Sequence, residues 1–268
     1  MKTRMITAAI GVPFLIFVLI VRGWFAELMI ALLSVFALYE SYRALRAANY
    51  NVCTWGGYAA AAIMWPLSRL MGVLDPLILV VAAMGISMTG IILREKPSFP
   101  DAAASVYPLF TCFLPLSMFM MMLNSTYGQV PGIALITMAF CIAYGGDGMA
   151  YFVGRAIGKH KLCPAVSPKK TIEGSIGGFI GSTLLALCCR ALFVHALGMP
   201  MPGIPATSAL ALVGSAAGQI GDLTASLLKR YAGIKDYGTL FPGHGGVMDR
   251  FDSVIFTLIV LYCYTLLL

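Results

Sequence analysis

Apolar stretches of about twenty residues recur along this chain with hardly a charge inside them, and that is the length an α-helix needs to cross a bilayer. Candidate spans lie near 5–21, 25–43, 55–71, 74–93, 104–123, 131–149, 175–196, 206–228 and 252–268. Charged residues make up 11% of the chain and hydrophobic ones 60%, whereas a soluble domain is about a quarter charged. With a mean hydropathy of +0.89, the sequence holds too few charges to cover a water-facing surface. A β-barrel would show segments of about ten residues with alternating polarity; the runs here are unbroken and longer. The chain therefore reads as an all-α integral membrane protein with about nine transmembrane helices.

The first segment, "MKTRMITAAIGVPFLIFVLIV", begins like a signal peptide. Its apolar stretch is long, no small-x-small cleavage site follows and more spans come after it, so a first spanning helix fits better. The basic residues set the orientation. Fifteen lysines and arginines, from Lys2 and Arg4 through Lys169, Lys170 and Arg250, fall in one set of loops; only Arg22 and Arg69 fall in the other. Cytoplasmic loops collect positive charge, which puts the N-terminus in the cytoplasm and, with an odd number of spans, the C-terminus outside. The net charge of +7 is concentrated in a few loops beside the membrane. That suits anionic lipid or phosphate and not nucleic acid. The seven cysteines are scattered through apolar runs without ligand spacing and read as small buried hydrophobes.

Residues 1–130 carry few unusual polar groups and read as scaffold helices, with Glu27 and Glu40 near helix ends as solvated or paired carboxylates. Residues 131–268 form the candidate catalytic region, with two cytoplasmic loops at 150–174 and 229–251. Four aspartates sit at the cytoplasmic ends of its spans: Asp147, Asp222, Asp249 and Asp252. An ionised carboxylate at the bilayer centre costs about 2.5–3.5 kcal/mol or more, so Asp222, set within an apolar segment, needs a partner or a wet cavity. Asp222, Ser226 and Arg230 recur at i, i+4 and i+8 and share a helix face; Asp249 and Asp252 at i, i+3 share another. Carboxylates gathered at one depth need a cation among them. Oxygen ligands without thiols favour a hard ion such as Mg²⁺ or Mn²⁺. The alternative without chemistry is a set of separate interhelical ion pairs with Arg155, Arg230 or Arg250.

The same zone is rich in anion-binding groups. "SPKKTIEG" (Ser167 to Gly174) places Lys169 and Lys170 before a helix start, where backbone amides attract phosphate. The loop "KRYAGIKDYGTLFPGHGG" adds Lys229, Arg230, Lys235 and His244. Gly245 and Gly246 let backbone amides approach a phosphate closely. Carboxylates, a divalent cation and a basic ring together describe a polyphosphate site, and its place at the membrane surface implies a lipid substrate.

At these residues the sequence resembles the phosphatidate cytidylyltransferases. Their signature, S-x-[aliphatic]-K-R, four residues, K-D-x-[small]-x-x-[LIF]-[PG]-x-H-G-G-[aliphatic]-x-D-R-x-D, is matched at every fixed position from Ser226 to Asp252. The blocks "DGMAYFVGRAIGKHKL" and Ser167 to Gly174 also look like the family, and the resemblance is clear over about 140–268. Two departures stand out: Gly148 where the family usually has a hydroxyl residue, and Ala225 where it usually has a glutamate, which would thin the carboxylate set. The resemblance implies transfer of a cytidylyl group from CTP to phosphatidic acid, giving CDP-diacylglycerol and pyrophosphate, in a bacterial inner membrane with the active site on the cytoplasmic side. It implies Mg²⁺, alone or beside a second cation, on Asp222 and Asp249, with Asp147 and Asp252 alongside. Ser167, Lys169, Lys170, Lys229, Arg230 and Lys235 would bind triphosphate and lipid phosphate, Ser226 would donate a hydrogen bond, and His244 and Arg250 would stabilise the departing pyrophosphate. A homodimer is a further implication of the family. Three other readings compete: a different Mg²⁺-dependent lipid-phosphate transferase, a degenerate lipid-binding paralogue, and a cation- or proton-coupled transporter. Transporters place their charges near the midplane at repeat interfaces, and no internal repeat is visible here.

Overall fold

The computed structural model describes residues 2–71, 75–243 and 245–268. Every apolar segment read from the sequence is helical: α1 (Lys2–Val21), α2 (Gly23–Ala47), α3 (Trp55–Met71), α4 (Pro76–Ile92), α5 (Phe99–Pro108) and α6 (Leu114–Leu123), α7 (Gly132–Ile157), α8 (Ile172–Ala191), α9 (Ile204–Tyr231) and α10 (Met248–Thr265). A π-turn at Leu109–Phe113 joins α5 to α6 just after Pro108, whose ring removes a backbone donor and displaces the hydrogen-bond ladder. The only strands among the described residues are two short antiparallel hairpins, β1 (Thr126–Tyr127) with β2 (Val130–Pro131) and β3 (Lys161–Cys163) with β4 (Ser167–Thr171). Among the described residues four helical stretches are long and apolar enough to cross a membrane: Gly23–Ala47, Phe99–Leu123, Gly132–Ile157 and Ile172–Ala196. All seven cysteines are free thiols; Cys53, Cys112 and Cys189 are buried as expected, but Cys188 and Cys263 lie on exposed helix faces. A thiol is apolar enough for such a face.

The chain packs as two compact units. One comprises 1–121 and 228–251; the other comprises 122–227 and 252–268. The glycine-rich loop after α9 therefore packs with the first-half helices. In the first unit Leu38, Tyr42, Met64, Leu109 and Phe113 are fully buried. The Tyr42 hydroxyl donates to the Ser105 carbonyl at 3.3 Å, and Glu27 pairs with Arg69 of α3 at 2.8 Å.

In the second unit α7 runs to Ile157, past the end near residue 149 expected from the apolar span. Asp147 is consequently inside a helix, and the connection to α8 is short. The glycines do not break α7. They let it touch α8 backbone to backbone, as small residues do between membrane helices. A Cβ on Gly181 would stand 2.5 Å from the Gly145 carbonyl oxygen, and one on Gly145 would stand 3.0 Å from that of Gly181. Helix α8 starts cleanly because the Thr171 hydroxyl accepts from the Gly174 amide at 3.1 Å, a side-chain N-cap.

Gly181→Val should therefore lower stability by about 1–3 kcal/mol, the usual cost of overpacking, read as a fall in the thermal midpoint in detergent. Gly85→Ala, where an added Cβ meets nothing within 4 Å, should leave the midpoint unchanged or raise it, because alanine is the better helix former.

Candidate active site

The β3–β4 hairpin, α7, α8 and α9 enclose a cavity of about 420 Å³ in the second unit, within the usual size range of small-ligand sites. Asp147 and Asp222 supply its carboxylates; Arg155, Lys169 and Lys170 supply its cations. Residues alternate sides along a strand, so Lys169 of β4 is exposed while Lys170 is half-buried. The Lys170 ammonium pairs directly with the Asp222 carboxylate, which is how the carboxylate on α9 meets its charge requirement. The expected alternative partners Arg155, Arg230 and Arg250 are not the residues in this pair. The base of the hairpin is fixed by Glu173, which accepts from the Lys159 amide at 3.1 Å and contacts His160 Nδ1 at 2.6 Å.

Deeper in the cavity Ser175 Oγ donates to Gln219 Oε1 at 2.5 Å, and Gln219 Nε2 returns a bond to the Ser175 carbonyl at 3.4 Å. Arg155 Nη1 donates to the Tyr151 hydroxyl at 3.1 Å. Ser253, one residue into the second unit's part of α10, bonds to two further aspartates. Its hydroxyl donates to Asp147 Oδ2 and its amide to Asp252 Oδ1, each at 2.8 Å. Asp147 and Asp252 are thereby gathered at one serine.

The first unit holds a second cluster, built around Asp249 at the start of α10. Its side chain is 3% exposed. Lys229 Nζ, from the end of α9, donates to Oδ1 at 2.8 Å. Oδ2 accepts from the Tyr237 amide at 2.7 Å and the Gly246 amide at 2.9 Å. A buried carboxylate is stable only with partners of this kind. Lys229 also lies 5.5 Å from the centre of the Tyr237 ring, in range for a cation–π contact. Glu40 of α2 closes the cluster. It is 3% exposed, and its two carboxylate oxygens accept from the Val247 amide at 3.1 Å and the Met248 amide at 2.9 Å. Arg43, one turn along α2, donates to the Tyr237 carbonyl.

Set against the expected site, the structure brings Asp147, Asp222, Lys169 and Lys170 to one cavity and joins Lys229 to Asp249. Ser167 is half-buried on β4 and Ser226 half-buried on α9; Arg230, Lys235 and Arg250 are exposed on the surface. His244 lies outside the described residues. The amide of Gly246 is donated to Asp249, while the space that Gly238 and Gly246 leave is filled by Glu40: a Cβ on either would fall 2.1 Å from Glu40 Oε1. Sequence reasoning passed over Glu40 as an ordinary helix-end carboxylate. Its available signal was a carboxylate in a mostly apolar helix, where burial demands donors. Gln219 and Ser175 were missed because a polar pair on two apolar helices carries no motif.

Among the described residues no three His, Cys, Asp or Glu side chains converge as a metal site. The donor set still suits Mg²⁺, which takes one or two protein carboxylates and completes its octahedron with waters and substrate phosphates. Asp147 and Asp222 in one cavity supply oxygens of that kind. Each of the two aspartates expected to carry the metal pairs with a lysine ammonium here, Lys170 with Asp222 and Lys229 with Asp249, so a metal at either position would share or displace that ammonium.

Lys229→Met should destabilise the first unit by about 3 kcal/mol, because it strands a buried charge. Adding Asp249→Asn should recover part of that loss. Thermal denaturation of the two single variants and the double variant checks the sign of the coupling; simple additivity would remove the ion pair from the explanation.

Comparison with known proteins fits this geometry. A family model described as the cytidylyltransferase family matches residues 2–268. The chain is 42% identical over 131 residues to a phosphatidate cytidylyltransferase of Bacillus subtilis, covering 49% of this chain and 47% of that protein. It is 46% identical over 127 residues to one from Staphylococcus epidermidis, covering 47% of each, and 42% identical over 132 residues to one from Haemophilus influenzae, covering 48% of this chain and 44% of the relative. These alignments span about half the length of the curated relatives. The family match runs through both compact units, and the chain belongs to the cytidylyltransferase family.

Proposed function

We propose that this protein transfers a cytidylyl group from CTP to phosphatidic acid, releasing CDP-diacylglycerol and pyrophosphate. The observation that carries the reading is the cavity where Asp147 and Asp222 line one wall system with Arg155, Lys169 and Lys170. Carboxylates and cations in one 420 Å³ space suit a polyphosphate bound with a divalent ion, and the named relatives are phosphatidate cytidylyltransferases.

In the proposed reaction a phosphatidate oxygen attacks the α-phosphorus of CTP. A P–O bond forms there, the bond to the bridging oxygen breaks, and its electron pair leaves with pyrophosphate. Phosphate monoesters have a second pKa near 6, so the attacking oxygen is largely ionised at neutral pH and needs no strong base. The barrier lies in bringing two polyanions together, and positioned cations lower it. Lys169, Lys170 and Arg155 bind phosphates in the cavity; Lys229, Arg230 and Lys235 are assigned to phosphate binding as well, and Ser167 and Ser226 to hydrogen-bond donation. His244 and Arg250 are assigned to the departing pyrophosphate, and the amides of Gly245 and Gly246 to phosphate contact. Asp222 and Asp249 would hold Mg²⁺, with Asp147 and Asp252 supporting them. Mg²⁺ bound there would neutralise phosphate charge and polarise phosphoryl oxygens. Lys170 and Lys229 keep the ligand-free carboxylates compensated.

The wider setting is part of the proposal: nine spans in a bacterial inner membrane, N-terminus and active site cytoplasmic, C-terminus outside, and a homodimeric assembly. Alkaline phosphatase, which folds only outside the cytoplasm, should be active when fused after Leu268 and inactive when fused after Ile157. The reverse pattern would invert the topology.

Pyrophosphate release by the purified protein in detergent–phosphatidic acid micelles tests the reaction. It should require CTP, phosphatidic acid and Mg²⁺ together. Asp222→Asn and Asp249→Asn should each lower kcat by about a hundredfold or more, the scale of losing one electrostatic group at a reacting phosphate. Release with another nucleotide but not CTP would indicate a different lipid-phosphate transferase. No release under any condition would favour the degenerate lipid binder.

A further inference from the structure

The geometry points to Glu40, a residue of the first-half helices, as the positioning residue that holds the loop from Tyr237 to Met248 in its working shape; this rests on the reaction proposed above. Four observations within the first unit meet at this carboxylate. It is 3% exposed, in a helix where a buried charge would be costly without compensation. Its two oxygens accept from successive amides, Val247 and Met248, at 3.1 and 2.9 Å. Those amides open α10, so a side chain 207 positions away in sequence serves as the helix's N-terminal cap. A negative charge there also meets the positive end of the helix dipole.

The loop is shaped to receive it. Gly238 and Gly246 both lack the Cβ that would collide with Glu40 at 2.1 Å. Gly243 and Gly245 have φ of 76° and 84°, the left-handed region that glycine enters at little cost.

Glu40 also stands next to a proposed reaction residue through the backbone. Met248 precedes Asp249, and the Gly246 amide that donates to Asp249 Oδ2 belongs to the residue before Val247. The same short backbone stretch is thus held by Glu40 on one side and Asp249 on the other. Arg43 adds a second tie from α2 by donating to the Tyr237 carbonyl, while the Tyr237 amide donates to Asp249. Glu40 touches amides and no reacting group. Its effect reaches the chemistry through the placement of Asp249 and Lys229.

The test uses the full chain in detergent–phosphatidic acid micelles and the variants Glu40→Gln and Arg43→Met. Glutamine keeps the size of the side chain but replaces one acceptor oxygen with an amide donor facing an N–H. Glu40→Gln should lower kcat about tenfold or more, as a small misplacement of reacting groups does. KM for CTP and phosphatidic acid should each stay within about twofold, since positioning acts on the transition state more than on binding. Hydrogen exchange should rise in peptides covering 237–249 and stay unchanged in α7 and α8. Arg43→Met, which removes the tie to the Tyr237 carbonyl, should act in the same direction with a smaller loss. Wild-type kcat and exchange in Glu40→Gln would overturn the proposal. So would deprotection throughout the chain, which marks a general structural role, or a rise in KM at constant kcat. If the wild-type protein itself releases no pyrophosphate, the proposed reaction fails. The exchange measurement then still decides whether Glu40 holds the loop.

Discussion

A carboxylate removed from water needs a cation or several donors, and this requirement organises the polar half of the molecule. Taking one ion out of water costs several kcal/mol. Four of the carboxylates described here are matched accordingly. Glu27 has Arg69, Asp222 has Lys170, Asp249 has Lys229 with two amides, and Glu40 has two amides at a helix start. Because the partners come from distant segments, compensating the charge also fixes the tertiary arrangement. The strand β4 is tied to α9 through one such pair, and the loop before α10 is tied to α2 through another.

Glycine does the complementary work. In α7 and α8 it removes side chains so that two helices touch along their backbones. At Gly238 and Gly246 it removes side chains so that a glutamate can enter, and Gly243 and Gly245 take positive φ. The same residue type thus acts as a packing surface in one unit and as a receptor for a charged group in the other.

The helical class and the positions of the apolar segments were legible in the sequence, because hydrocarbon length and charge avoidance act locally; the placement of the chemistry after residue 140 belongs to the proposed function. Asp222 was legible too, since a carboxylate within an apolar segment is costly wherever it occurs. What escaped was the extent of α7. The span was expected to end near residue 149, and the helix continues to Ile157, its small residues packed against the backbone of α8. The lysine partners of the aspartates escaped as well. Helical spacing showed which residues share a face, but not that Lys170 would arrive from a strand.

By itself, then, the sequence determined a helical membrane protein with aspartates set at helix ends beside basic loops in its second half, because composition and periodicity depend only on nearest neighbours along the chain and on the solvent. Only the tertiary structure decided which charge meets which. It gave Lys170 to Asp222 and Lys229 to Asp249, and it brought Glu40 from the second helix to the first amides of the last one. Those choices depend on distances between segments far apart in sequence, and no local pattern encodes such distances.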